Sequence, residues 1–532
     1  MRKTLLSALL LAVPVLVLYS VNLQGTPLYL HDAEVLFALH AHSIATTAHD
    51  TNGRFLPVYF QMVPIGDNVW FQPAIVYLMA LFLEVLPFTE TAIRLPSVVV
   101  GAVNVVLMYF IARRIFASER RGWLAAILLA LTPAHFINGR IAMDYLYPVT
   151  FVMAWLLCLL IFLERKKPWI LFAAASFLGF GVYSYIASLI MMPVYLALTC
   201  LTLFRTSKNA IRLSLIAVAG FVWPLTFMAL WLVDHQGAVV ETLGRYRPGP
   251  AGELAGKLGG LPLAAVLETL RQPVHFSGIT GRISLYWYFF DPSYLFVTGG
   301  YANVVNSTRH VGVFLLPLLV FVPVGLVQLA RRPTPINVIL LAGFASAPLA
   351  ACLIVPEPYA IDREMELLPF AVLIATCGLA CMLSASRKLW RVAGICLLAL
   401  VPLHFCFFLF DYFGDYRVRT GFWFEGNHRE ALETIIAREP QDHPPAIYLN
   451  ADRLPYIDDY WRLYLIKHGR QDLLDRTVDF SWKTLDAERV PAGSVLLTRV
   501  EDAERVMASG KFRRLATIPE PDAAPNFAIL QR

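Results

Sequence analysis

Apolar runs close to twenty residues long, separated by short basic stretches, dominate the chain. A helix crosses the hydrocarbon core of a bilayer in about 20 residues, so a ladder of such runs leaves few options besides a polytopic membrane protein. The residue balance agrees. Of 532 residues 58% are apolar and 15% charged, where a soluble domain carries roughly 25% charged residues. The formal charge of +6 therefore does not mark a nucleic-acid binder, because the cations sit in blocks between the apolar runs, as membrane topology requires.

The runs predict about eleven spans. The first covers Leu5 to Leu23, and later ones begin near Ile93, Trp123, Val149, Pro168, Ala187, Ile211, Val311, Ile336, Glu366 and Val392. With the N-terminus in the cytoplasm, the basic blocks at Arg113–Arg121, Arg165–Lys167, Arg205–Arg212, Arg331–Arg332 and Arg387–Arg391 all fall on the cytoplasmic side. That count holds only if the apolar but short Pro73–Phe88 stretch, interrupted by Glu84, lies in the interface rather than crossing. The expected fold is thus an α-helical membrane domain over residues 1–411 with interfacial helices, followed by a small soluble α/β domain over 412–532. In that tail AIYLN (Ala446–Asn450), SVLLTR (Ser494–Arg499) and FAILQ (Phe527–Gln531) read as strands, and Ile457–Arg476 and Glu501–Ser509 as helices. The Gly- and Pro-rich stretch Arg247–Gly260 reads as a mobile loop. This topology places the tail outside the cytoplasm and fits a bacterial inner membrane.

All seven cysteines (Cys158, Cys200, Cys352, Cys377, Cys381, Cys396 and Cys406) lie in apolar segments, where a small buried hydrophobe is the ordinary role. The tail beyond Cys406 has none, so it folds without disulfides. His31, His40, His42, His49 and Asp50 show no tight ligand spacing, and no metal cofactor is expected.

Just beyond the first span stands His31-Asp32-Ala33-Glu34, and the next outer loop carries Arg140 and Asp144. Asp32 in this position could simply cap a helix. Capping does not account for a second carboxylate two residues on, nor for Asp144 at the outer end of another span. Acids placed so can meet in one outer cavity, where a base for an external substrate is wanted. Positive charge for a phosphate is available on the same side from Arg140, Arg282 and Arg363, with Arg54 and Arg94 behind them, and arginine suits phosphate through its two-pronged donor geometry.

The stretches His31–Phe60, Gln72–Leu78, Ala92–Phe116 and Leu131–Pro148, with Asp362–Phe370 more weakly, resemble the C-type (GT-C) glycosyltransferases of the protein-mannosyltransferase and aminoarabinose-transferase superfamily. The resemblance implies an inverting transfer from a polyprenyl-phosphate sugar to an acceptor hydroxyl on a lipid, glycan or protein, at the outer membrane face. Asp32 would be the general base, and Glu34 and Asp144 accompanying acids. The family more often has adjacent Asp-Glu at this point, where Ala33 intervenes here, and the aminoarabinose enzymes place an arginine where this chain has Val35. The rival reading is a lipid flippase or transporter, which would place its charges near the bilayer midplane and build itself from matching halves.

Overall fold

The computed structural model describes residues 2–62, 69–238, 276–300, 304–354, 358–481, 485–486 and 488–532. The Arg247–Gly260 stretch lies outside the described residues. Six helices among those described are long and apolar enough to cross a membrane: Glu90–Phe116, Asp144–Arg165, Ser188–Thr206, Ala210–Asp234, Pro335–Leu353 and the Lys388–Arg419 run. Shorter apolar helices are Leu6–Ser20, Ala74–Leu83, Pro168–Gly181, Leu318–Ala330 and Leu367–Leu383. The protein is an integral membrane protein.

Prolines shorten two of the runs expected to span. The Glu119–Ala130 helix ends at Leu131, and Thr132 turns extended ahead of Pro133, as the ring of a following proline demands. Around Val311 helix begins only at Leu318, after Pro317. The Ala74–Leu83 helix has 10 residues, a rise of about 15 Å, which is half of the hydrocarbon thickness.

The chain divides into two compact units. The first contains Met1–Val21, Pro57–Ile75 and Pro96–Asp411; the second contains Asn22–Leu56, Val76–Leu95 and Tyr412–Arg532.

In the first unit, helices pack through small residues, the usual route to close approach where lipid offers no hydrophobic drive. A Cβ added at Gly378 would come within 2.0 Å of the Phe321 carbonyl oxygen, and one at Gly325 within 2.0 Å of that of Ile374. The Leu318–Ala330 and Leu367–Leu383 helices therefore touch backbone to backbone. The unit also holds a two-stranded antiparallel ribbon, β1 (Phe60–Gln61) and β2 (Trp70–Phe71).

The first unit gathers basic blocks at one end. Arg114 pairs with Glu164 at 3.8 Å, joining the end of Glu90–Phe116 to the end of Tyr147–Arg165. Lys166 in turn lines one recess with Arg212. Asp144 stands at the opposite end of the 19-residue Tyr147–Arg165 helix, about 28 Å away along its axis.

The second unit is built on a five-stranded sheet of order β4-β3-β5-β7-β6. Strands β3 (Ile447–Asn450), β4 (Thr477–Phe480) and β5 (Val495–Arg499) run parallel, while β6 (Arg513–Pro519) and β7 (Pro525–Gln531) close the other edge antiparallel. Helices His428–Asp442, Ile457–His468 and Val500–Met507 accompany it. The helix expected over Ile457–Arg476 stops at His468. Gly469 caps it with φ +64°, and a 3-10 turn over Gln471–Arg476 continues, the usual use of glycine in a left-handed cap. The Asp32–Thr47 helix packs against Ile457–His468 within this unit.

Candidate functional site

Asp32 and Glu34 belong to the second unit, and Asp144, Arg140, Arg282 and Arg363 to the first. The local structure around Asp32 begins with a capping box. His31, not Asp32, is the N-cap of the Asp32–Thr47 helix, and Glu34 reaches back to accept the His31 N–H at 2.9 Å. Asp32 is left as the first helical residue, with its carboxylate accepting the Ala33 amide at 2.7 Å and contacting the His31 imidazole. Its side chain is 20% exposed. Burial pushes the Asp32 carboxyl up, but the imidazole and the Ala33 amide outweigh it and hold the group below the usual carboxylate range. Burial opposes a charge on His31 as well, yet the bond to Asp32 raises the imidazole above its ordinary value. The contact thus favours the charged form of each partner.

Glu34 has a different environment. It is fully buried and gripped by Arg94, Nε to Oε1 and Nη2 to Oε2, both at 2.9 Å. The remaining Arg94 donors go to the carbonyls of Leu23 (3.0 Å), Pro27 (2.8 Å) and Tyr29 (2.6 Å). One guanidinium ties the loop entering the helix to the first turns of Glu90–Phe116. Both Glu34 oxygens are occupied, so this acid braces the loop that carries Asp32.

The tail supports the same loop. Tyr460 donates to the Leu30 carbonyl at 2.7 Å, and Tyr412 to that of Thr26 at 3.4 Å. Lys467 bridges Glu90 and Glu433, at 2.8 Å to each, and Arg429 adds a contact to Glu90 at 3.6 Å. His31 meets the Phe424 ring edge-on. Two further tail acids, Glu425 and Asp459, feel the charge of Asp32, which adds to burial in raising their own pKa values. Sequence reading missed these tail groups, which lie some four hundred positions from Asp32 with no local pattern to connect them.

In the first unit Asp144 is buried in a 3-10 turn, Asp144–Leu146, that packs against a second such turn, Ile361–Arg363. Tyr185 stacks edge-on with Tyr145 at 5.4 Å and lies within electrostatic reach of Asp144, Asp362 and Arg363. Arg363 contacts Asp362 at 3.6 Å and is 18% exposed, and Glu364 accepts from Tyr294 at 2.8 Å. The structure therefore brings Asp144 and Arg363 together and adds Asp362 and Tyr185, which the sequence alone did not single out.

It separates Arg140 and Arg282 from them in character. Arg140 is fully buried, donates to the Tyr19 carbonyl at 2.5 Å and lies over the Phe136 ring. Arg282 donates to the Cys352 carbonyl at 2.5 Å. Arg54 is committed to Asp50. Among the histidines considered for metal, His40 bonds Thr51 and His49 bonds the Thr47 carbonyl.

Residues 72–230 match the model of a family described as dolichyl-phosphate-mannose-protein mannosyltransferase. No curated protein matches the chain. A crystal structure of ArnT from Cupriavidus metallidurans bound to undecaprenyl phosphate superposes with a TM-score of 0.57 at 11% identity, covering 98% of this chain and 97% of that one. The chain has the GT-C fold. The apo form of the same ArnT gives a TM-score of 0.58 at 13% identity over the same shares of the two chains. An Archaeoglobus fulgidus oligosaccharyltransferase tethered with an acceptor peptide gives 0.49 at 13% identity, over 97% of this chain and 74% of its own.

Proposed function

We propose that this GT-C chain is a membrane glycosyltransferase that moves a sugar from a polyprenyl-phosphate donor to an acceptor hydroxyl at the outer membrane face. The observation that carries the reading is Asp32. It is a partly exposed carboxylate held ionised by His31 and the Ala33 amide, on a loop fixed by the Glu34–Arg94 pair. The family match over residues 72–230 and the likeness to a fold solved with undecaprenyl phosphate support the donor class.

In this reading the acceptor oxygen attacks the anomeric carbon from the face opposite the phosphate. Asp32 takes the acceptor proton as the new C–O bond forms, and the old C–O bond breaks to release polyprenyl phosphate, so the anomeric configuration inverts. A carboxylate suits the task because the transition state is sugar-cation-like and its proton moves late. Glu34 positions rather than reacts. Among the first unit's candidate phosphate ligands, Arg363 has a partly exposed guanidinium, beside Asp362. Arg282 is the second candidate, and Arg140 holds the Tyr19 carbonyl.

Purified protein incubated with polyprenyl-phosphate sugars of several kinds and candidate acceptors tests the proposal. Release of free polyprenyl phosphate, lost in Asp32→Asn, is the expected result. Movement of intact donor between leaflets, with no sugar released, would replace it with the flippase reading.

A further inference from the structure

Two recesses lie side by side in the first unit, at the end where its basic blocks gather. One, of about 610 Å³, opens at the turn joining Ser188–Thr206 to Ala210–Asp234 and is lined by Lys208, Asn209, Arg212, Phe204 and Leu215 among others. The other, of about 320 Å³, reaches from the same turn to Lys166 and Pro168 at the head of the next helix pair. Ser207, Asn209 and Arg212 line both. Neither lining includes an acidic residue among those described, so three cations converge on adjoining hollows with no carboxylate to neutralise them there.

The wall beside the hollows is of the opposite kind. Leu201, Phe204, Ile211 and Leu215 are each 59–70% exposed, and Trp169 65%. In a membrane these side chains face acyl chains. A cationic hollow at the bilayer surface, continuous with an apolar wall running into the core, matches an amphiphile with an anionic head and hydrocarbon tails. Basic pockets between the ends of membrane helices have this selectivity for anionic lipid head groups. The Ala210–Asp234 helix also starts here without a side-chain cap, and its first internally paired amide is that of Leu213. Phosphate oxygens seated by the cations could take up the preceding amides as further donors.

We propose that Lys166, Lys208 and Arg212 form a binding site for the phosphate of an anionic membrane phospholipid. The site shares no residue with the Asp32 and Asp144 groups and does not depend on the glycosyltransferase reading. A bound lipid here ties the Tyr147–Arg165/Pro168–Gly181 turn to the Ser188–Thr206/Ala210–Asp234 turn through one head group.

Native mass spectrometry of the full chain in detergent, titrated with phosphatidylglycerol or with phosphatidylcholine, reads the site directly. The wild type should retain phosphatidylglycerol in preference to phosphatidylcholine. Lys166→Gln/Lys208→Gln/Arg212→Gln should lower phosphatidylglycerol retention by about tenfold or more and leave phosphatidylcholine unchanged. The charge-preserving Lys166→Arg/Lys208→Arg/Arg212→Lys should keep it, and Arg212→Gln alone, on both recesses, should show most of the loss. The altered side chains are exposed, so melting temperatures should agree across the set. Equal retention of the two lipids by the wild type, or undiminished phosphatidylglycerol in the triple glutamine variant, would overturn the assignment whether or not the protein transfers sugar.

Discussion

At the scale of single residues, two acids only two positions apart sit in different surroundings, Asp32 partly exposed against His31 and Glu34 sealed against Arg94. Asp32→Asn keeps the first-turn geometry but cannot accept a proton, so turnover should fall by about 100-fold or more with the melting temperature little changed, as release of polyprenyl phosphate would show. Near-normal turnover in that variant would remove Asp32 as base. The pH dependence follows from the His31 contact. Asp32 ionises below the ordinary carboxylate value of about 3.9, so it stays charged, and its favourable interactions stay intact, until pH falls through that depressed value. His31→Ala leaves burial unopposed by the imidazole, which raises the Asp32 pKa and should move the acid limb of the activity profile toward higher pH. Arg94→Ala, by contrast, should cost stability rather than chemistry. It strands a buried carboxylate, a loss of about 3–5 kcal/mol in comparable pairs, visible as a lower midpoint in thermal or denaturant unfolding. The acids themselves were legible in the sequence. Their contrasting surroundings were not, because Glu34's partner is sixty positions away and burial decides which acid stays near solvent. For the same reason Arg140 reads in the sequence like any outer-loop cation, while in the fold it is sealed against Tyr19 and Phe136.

At the scale of elements, hydropathy located the long helices because lipid demands it of every spanning residue. Prolines at positions 133 and 317 then cut runs that looked continuous. In the tail, the buried strands β3, β5 and β7 stood out as apolar runs. Strands β4 and β6 did not, since each pairs on one side only and carries a charged or exposed face (TVDF and RRLATIP). Helix contact is tested at Gly378. A side chain there would meet the Phe321 carbonyl, so Gly378→Val should force the Leu318–Ala330 and Leu367–Leu383 helices apart and lower yield and melting temperature. At Gly53 an added Cβ would meet nothing within 4 Å, but φ is +78°, so the same change there should cost only local strain, of order 1–2 kcal/mol.

At the scale of the molecule, the second unit recruits Asn22–Leu56 and Val76–Leu95 alongside the tail, an arrangement that no composition shift announces. Sidedness is an expectation from charge. A cysteine at Ser386, in a background with the native cysteines replaced, should react with an impermeant label only after lysis, and one at Ser509 should react in intact spheroplasts. The reverse pattern would invert the topology.

The tail's hold on the loop that carries Asp32 also has a consequence in time. Translation delivers His31 and Asp32 early, whereas Tyr460, Lys467 and the closing strand β7 emerge hundreds of residues later. During that interval Leu30 and Glu90 lack their tail partners. A nascent or prematurely terminated product can therefore occupy the membrane with Asp32 present while the contacts that Tyr460 and Lys467 make are still unformed.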